Sequence, residues 1–366
     1  MRSRIAATVL LSLALLSLAL LAAGCSSGED AAVSAAPPAT SSAPTPKPSP
    51  LPSPSPSPKP SPKPSPKPTA KPPPALTSNP LTGGSLIGGP VIAVKIDNTA
   101  AGLPQFNVAD ADLVYVEQVE GGLTRLMAVY HTTLPREVGA VRSVRSTDAE
   151  LLPVFGTPAL VFSGGADGPL NALAATPTVA VSEDSGAAGF WRSDAAGGTY
   201  NLHANLQEIA GAHPELTAPY DIGLRFAADD PRVAAAPAAT SLAVQYQAAR
   251  TEFAFTDGRY RLLRDGTEQS DASGAPIVAD NVLFQSVGFE PDGTVDSVGS
   301  PSYISHTVGS GTFELFRDGH RITGKWSRAA ADQPTRYLDA AGKPVLLKPG
   351  KTWVALVPPV ASEEIS

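Results

Sequence analysis

Proline stands at every second position across residues 48–68 of this 366-residue chain, and this pattern constrains the fold more than any other feature. Proline has a fixed φ and no amide hydrogen, so alternating prolines favour polyproline II and exclude a packed core. We therefore expect residues 25–80 to form a disordered but stiff tether. Its proline-rich part would reach about 140 Å if fully extended.

A leader precedes the tether. Arg2 and Arg4 supply positive charge, and residues 5–23 are an unbroken run of small and apolar side chains. This layout is typical of a secretory signal peptide, which we place at residues 1–24. Residues 21–25, LAAGC, resemble a lipobox, so Cys25 is the expected lipidation site. An uncleaved membrane helix is the alternative, and both readings place the rest of the chain on the outer face of the membrane.

Composition limits the chemistry of the globular part. Cys25 is the single cysteine, so disulfides and CxxC sites are excluded, and five scattered histidines lack ligand spacing. We expect no metal and no cofactor.

Residues 77–366 carry 20 Lys and Arg against 32 Asp and Glu, a formal charge of −12, which argues against a nucleic-acid partner. The expected partners are the membrane, through lipid on Cys25, and a cell-wall polymer or an envelope protein.

The globular part divides into two patterns. Residues 81–225 alternate apolar runs with helical patterns, which predicts an α/β domain with a mixed sheet. Residues 226–240 read as a connector. Residues 241–360 show short strands at regular spacing with Asp-Gly turn pairs, which predicts a smaller, mostly-β domain.

The stretch YVEQVEGGLTR, residues 115–125, predicts a hairpin that turns at Gly121 and Gly122. Odd spacing on a strand puts Glu117 and Glu120 on opposite faces. With a two-residue turn, Glu120 and Arg125 become diagonal neighbours, and we expect an ion pair between them. Glu117 then lies on an apolar face with Leu126 and Ala128, where a carboxylate needs a partner or a task.

Further candidates surround this hairpin. Asp97 and Asn98 follow the apolar strand of residues 91–96, at the end of a strand where α/β proteins bind ligands. An Asx turn is the alternative role for Asp97. Residues 163–173 predict a strand, a glycine-rich loop and a helix start, which could cradle an anion or form a plain turn.

Charged side chains also recur at helical spacing. Arg142, Arg145 and Asp148 are spaced i, i+3 and i+6, which predicts one side of the first two turns of a helix. The arginines could hold an anionic group, or they could belong to an internal network with carboxylates. Arg192 lies in a small, glycine-rich segment that we expect to form a rim of the site.

Several longer motifs occur in order along residues 90–358: IAVKIDN, ADLVYVEQVEGGLTRLMAVY, GAVRSVRSTD, FWRS with NLHANL, GSGTFELFRDGHRITGKWSR and LKPGKTWVALVP. With these motifs the chain resembles the YerB-like lipoprotein family. The resemblance implies an N-terminal α/β domain and a smaller β-rich C-terminal domain. It implies no particular reaction, because the family is a domain of unknown function. Thr199 and Tyr200 replace the family's usual Pro-His, so no catalytic histidine is expected there.

Three functions are consistent with these features. The first is a tethered binding protein that recognises an envelope component through a cleft containing Asp97, Glu117, Arg125, Arg142 and Arg145. The second is an enzyme that cleaves cell-wall glycan with Glu117 and Asp97 as its two carboxylates. The third is a structural assembly lipoprotein without a small ligand. No sequence motif demonstrates a reaction, so the first function is favoured.

Overall fold

A computed structural model describes residues 76–193, 200–296 and 299–366. Lys71–Ser366 form one compact unit, which contains both hydrophobic cores. A unit with its own core can fold alone. The expected leader, Cys25 and residues 25–75 of the expected tether lie outside the described residues. No helix in the described ranges is long and apolar enough to cross a membrane.

Strands dominate the described part of the chain. Those of the first half are β1 (Ile92–Asp97), β2 (Leu113–Gln118), β3 (Thr124–Tyr130), β4 (Val138–Gly139), β5 (Ala159–Phe162), β6 (Val179–Ser182), β7 (Phe190–Arg192) and β8 (Leu202–Ala204). Those of the second half are β9 (Ser241–Gln245), β10 (Arg250–Thr256), β11 (Arg259–Arg264), β12 (Thr267–Glu268), β13 (Val278–Ala279), β14 (Asn281–Ser286), β15 (Gly288–Val295), β16 (Pro301–His306), β17 (Gly309–Arg317), β18 (His320–Arg328), β19 (Arg336–Asp339), β20 (Thr352–Val357) and β21 (Ser362–Ile365). The α-helices are α1 (Ser146–Leu151), α2 (Asp167–Ala174), α3 (Leu206–Ala212) and α4 (Pro231–Ala234).

A ten-stranded mixed sheet runs through both halves of the chain. Its order is β19-β18-β17-β14-β20-β2-β3-β1-β5-β6, and the halves meet where β2 pairs in parallel with β20. The second half also forms a sheet of order β12-β11-β10-β9-β21 and the separate hairpin β15–β16. The fold-class prediction is confirmed: an α/β first part is followed by a mostly-β second part.

The central strands are buried on both faces, which explains their nearly continuous apolar sequences. Side chains alternate along a strand, so Val94 of β1 enters one core and Ala93 enters the other. The first core lies between the central sheet and the smaller sheet, whose Phe253 it contains. The second core contains Leu151 of α1 and Leu173 of α2, so these helices cover the opposite face.

The β2–β3 hairpin differs from the sequence prediction by one residue in register. Glu117 pairs with Arg125, and not with Leu126. The turn contains three residues, because Glu120–Gly122 form a single 3₁₀ turn. A tertiary contact holds this turn, since the amide of Ala248 donates to the carbonyl of Gly122 at 2.9 Å.

The two glycines of this turn provide a matched test. Both have left-handed φ values, +65° at Gly121 and +71° at Gly122, so alanine at either position costs about 1–2 kcal/mol. A Cβ at Gly122 would lie 2.5 Å from the Cβ of Gln247, whereas nothing lies within 4 Å at Gly121. We expect Gly122→Ala to reduce the free energy of unfolding by about 1–3 kcal/mol more than Gly121→Ala. Urea denaturation measures the difference, and equal losses would contradict the packing of this turn on Gln247.

Candidate functional site

Three predicted site residues form a row across adjacent strands. Glu117 of β2 and Asp97 of β1 both pair directly with Arg125 of the intervening strand β3. Directly paired residues project from the same face of a sheet. All three side chains are buried, on the face that α1 covers. The one-residue change in register creates this row, because it replaces Leu126 with Arg125 between the two carboxylates.

Lys95 supplies the partner of Glu117. This lysine is 0% exposed; its ammonium contacts the Glu117 carboxylate and donates to Oδ1 of Asp148 at 2.8 Å. Burial lowers the pKa of Lys95 to about 8, and the Asp148 carboxylate opposes that shift. Sequence reasoning missed Lys95 as a functional position. The available signal was a lysine inside the apolar run of residues 91–96.

Asp97 and Asn98 hold the loop that follows β1. Oδ1 of Asp97 accepts hydrogen bonds from the amide of Thr99 at 2.7 Å and from its hydroxyl at 2.6 Å, as in an Asx turn. Oδ2 of Asp97 lies 3.1 Å from Nε of Arg142. Asn98 donates to the hydroxyl of Thr124 at 2.9 Å. The Asp97 carboxylate therefore orients Arg142 and caps a turn at the same time.

Glu120 pairs with Arg145, so the predicted ion pair between Glu120 and Arg125 is wrong. Oε2 of Glu120 accepts from Nε of Arg145 at 2.9 Å and from Nη2 at 2.5 Å. The physical reason is the three-residue turn, which removes Glu120 from the strand. Arg145 itself is extended, with φ −131° and ψ 158°, and it immediately precedes α1.

Helix α1 begins later than its sequence predicted. It starts at Ser146, so Arg142 lies in an extended segment and only Asp148 lies inside the helix. Long-range hydrogen bonds hold that segment away from helical geometry: the amide of Arg142 donates to the carbonyl of Lys95 at 2.9 Å. Oδ2 of Asp148 accepts from the amide of Arg145 at 2.7 Å and so caps the start of the helix.

Arg125 is the one cation of this cluster without a carboxylate at ion-pair distance in the described ranges. Arg125 is 8% exposed, and its Nε and Nη1 atoms have no hydrogen-bond partner within those ranges. Burial, with the nearby charges of Arg145 and Arg142, lowers the pKa of Arg125 to about 9. The guanidinium therefore still carries its charge at neutral pH, in a position where unpaired donors are costly.

Arg125 lies in the wall of a cavity of about 620 Å³, which we name the arginine cleft. The β2–β3 hairpin contributes Val119, Glu120, Leu123 and Arg125; the segment before α1 contributes Arg142, Ser143 and Arg145; the start of α2 contributes Gly165, Ala166, Asp167 and Pro169; and the second half of the chain contributes Val295, Asp296 and Ser302. Asp97 and Glu117 lie beneath this surface and do not line it.

The remaining predicted positions lie apart from the arginine cleft. Arg192 is exposed and donates to Asn201 at 3.0 Å and to Glu183 at 3.2 Å. Among the residues that the structure describes, no group of three or more His, Cys, Asp and Glu side chains could hold a metal ion. The contribution of Val295, Asp296 and Ser302 to the cavity wall was not predicted, because nothing in the local sequence indicates proximity to the first half.

The Lys95 cluster gives a stability prediction. Lys95→Met would leave Glu117 and Asp148 buried without their cation, and we expect a loss of about 3–5 kcal/mol. Lys325→Met is the control, since Lys325 is an exposed residue in β18, and its effect should stay within about 0.5 kcal/mol. Adding Glu117→Gln and Asp148→Asn to Lys95→Met should restore part of the loss. Urea denaturation tests this, and a K95M protein as stable as wild type would refute the pairing.

A second prediction concerns pH and the hairpin β15–β16. His306 of β16 lies 2.9 Å from Glu150 of α1 and 3.1 Å from Glu290, and these hydrogen bonds raise its pKa above 6.5. The stabilisation is fully present below about pH 6.5 and is lost as the pH rises through the folded-state pKa. We expect His306→Gln to lower the melting temperature more at about pH 5.5 than at about pH 9. An equal decrease at both pH values would contradict the assignment.

Comparison with known proteins gives consistent matches in both halves. Residues 76–218 match the family model "Protein of unknown function (DUF3048) N-terminal domain", and residues 241–354 match the corresponding C-terminal domain. A Bacillus subtilis (strain 168) protein named "Putative lipoprotein YerB" is 25% identical over 292 residues, which cover 75% of this chain and 83% of that protein.

A solved structure extends the likeness to the fold. The crystal structure of the YerB protein from Bacillus subtilis aligns with a TM-score of 0.64 at 22% identity, over 78% of this chain and 98% of that chain. Nearly all of that crystallised chain therefore corresponds to the compact unit described above. With both of its halves matched, this chain belongs to the two-part YerB-like family that the DUF3048 models define.

Proposed function

We propose that this protein is lipid-anchored through Cys25 on the outer face of the membrane, and that it recognises an anionic envelope component through the arginine cleft. The leader and lipobox-like sequence support the anchor, as does the name of the Bacillus relative. The observation that carries the binding role is Arg125, a buried guanidinium that borders a cavity and lacks a hydrogen-bond acceptor for two of its nitrogens in the described ranges.

The energetics of Arg125 favour a ligand. A buried charge is costly unless it is paired and hydrogen-bonded. Nε and Nη2 lie on one edge of a guanidinium and can donate in parallel to two oxygens of a carboxylate or a phosphate. An anion in the cleft that reached this edge of Arg125 would satisfy its Nε donor. No described carboxylate lies at ion-pair distance from Arg125: Asp97 pairs with Arg142, and Oε1 of Glu117 contacts Lys95.

The two flanking arginines are held in place by their own partners. Asp97 fixes Arg142, and Glu120 fixes Arg145 through two hydrogen bonds to one oxygen. Side chains that are already ordered lose less conformational entropy when a ligand binds. Arg142 and Arg145 are therefore ordered at the wall of the cleft, whereas Arg125 contributes unsatisfied donors.

The buried carboxylates give no support to the glycan-cleaving alternative. Catalytic carboxylates must reach a glycosidic bond, and one of them must protonate the leaving oxygen. Asp97 and Glu117 are each at most 1% exposed and do not line the arginine cleft. A structural assembly protein without a small ligand is the alternative to a binding protein. Co-sedimentation with cell envelopes distinguishes the two.

Co-sedimentation with isolated Bacillus subtilis cell envelopes tests the proposal. We expect the 71–366 unit to bind envelopes and inorganic phosphate to compete. Arg125→Gln should weaken binding by about tenfold or more, because it removes charge-assisted hydrogen bonds to the anion. Arg225→Gln is the control, because it removes the same charge outside the cleft. Arg225 is an exposed arginine that pairs with Asp221. Binding by R125Q at the wild-type level, or no binding by the wild-type protein, would contradict the proposal.

A further inference from the structure

The arginine cleft has an apolar rim as well as a charged floor. Six large apolar side chains are exposed in the described ranges, and two of them, Leu123 and Val295, line this one cavity. Leu123 is 40% exposed at the end of the β2–β3 turn, and Val295 is 54% exposed at the end of β15. Single exposed apolar residues are ordinary, but two such residues from segments far apart in the sequence, at one charged cavity, form an amphipathic site.

Both sides of this rim are fixed against the body of the protein. The hydroxyl of Ser146 donates to Asp292 of β15 at 2.7 Å, and the amide of Ser305 in β16 donates to the hydroxyl of Thr147 at 2.9 Å. These bonds hold the β15–β16 hairpin to α1. On the other side, the Ala248–Gly122 hydrogen bond holds the turn that presents Leu123.

The acidic residues of the cleft restrict the charge of its ligand. Asp167 and Asp296 also line the cavity, and residues 77–366 carry a formal charge of −12. A polyanion that extended out of the cleft would be repelled by these charges. One anionic head seated on Arg125, with an uncharged and apolar continuation, avoids that repulsion and covers Leu123 and Val295.

We infer that the arginine cleft binds the phosphate head of a lipid, with the first part of the lipid chain against Leu123 and Val295. This inference rests on the proposed function, because it assigns a ligand class to the same site. Arg125 donates to the phosphate oxygens, which are the bidentate acceptors that a guanidinium matches. The apolar rim receives the methylene groups next to the phosphate, so water leaves both surfaces on binding.

Titration of the 71–366 unit with methyl, butyl and octyl phosphate, each below its micelle concentration, tests the inference by calorimetry. We expect affinity to rise roughly three- to fourfold for each methylene that reaches the rim, which is the effect of burying that group. Leu123→Ser combined with Val295→Ser should bring the ratio of octyl to methyl phosphate affinities close to one. Leu86→Ser combined with Val360→Ser removes two exposed apolar side chains elsewhere and should leave the ratio unchanged.

The outcomes separate the two proposals. Equal affinities for all three phosphates, lost in Arg125→Gln, would overturn the lipid assignment and keep an anion-binding cleft. Octyl phosphate binding that survives Arg125→Gln would also overturn the assignment, because the apolar chain alone would then explain it. An absence of binding to every phosphate, inorganic phosphate included, would overturn both. A chain-length dependence that requires Arg125, Leu123 and Val295 together supports the lipid phosphate.

Discussion

The buried ammonium of Lys95 is the constraint on which the rest of the site depends. It lies on a central strand, contacts Glu117 on a second strand and donates to Asp148 on α1. A charge in this position is tolerated only with such partners. The pairing therefore fixes α1 over the sheet, and Asp148 in turn caps the helix through the amide of Arg145.

This arrangement decides which cation of the cluster has no carboxylate at ion-pair distance in the described ranges. Lys95 engages Glu117 and Asp148, Asp97 engages Arg142, and Glu120 engages Arg145. The cluster is close to neutral as a whole, yet Arg125 has unsatisfied donors at the cavity wall. A neutral cluster with one undersatisfied guanidinium favours recognition of a single anionic group over general attraction of polyanions. The apolar side chains at the rim favour a ligand that joins this anionic group to an apolar chain.

The sequence predicted the fold class because that prediction depends on local patterns. Alternating apolar residues, β-branched runs and Asp-Gly turns identify strands without knowledge of their neighbours. The prediction of the hairpin register failed because a difference of one residue in the length of the turn changes every cross-strand pair. The length of this turn is fixed with the help of Ala248, far along the chain, which no local pattern indicates.

Sequence reasoning identified several residues that lie close together, but not their contacts. Asp97, Glu117, Arg125, Arg142 and Arg145 do come together, as their positions at strand ends and in one segment suggested. The predicted pair of Glu120 with Arg125 was wrong, because the three-residue turn removes Glu120 from the strand and Glu120 pairs with Arg145. The predicted helix start was also wrong, because the amide of Arg142 donates to the carbonyl of Lys95 and keeps the segment before α1 extended. Lys95 was read as part of an apolar strand. The wall at Val295 comes from the other half of the chain, and only the three-dimensional fold shows its proximity.

The proposed binding role depends on Arg125 as a source of unsatisfied donors for an anion. The most direct measurement is the ¹⁵N–¹H resonance of its Nε group in the 71–366 unit, assigned by its loss in Arg125→Lys, during a titration with inorganic phosphate. We expect a slowly exchanging Nε–H signal that shifts saturably as phosphate binds. An Nε–H resonance that does not move while phosphate reaches saturating concentration, or a signal that shows Nε already hydrogen-bonded in free protein, would contradict it.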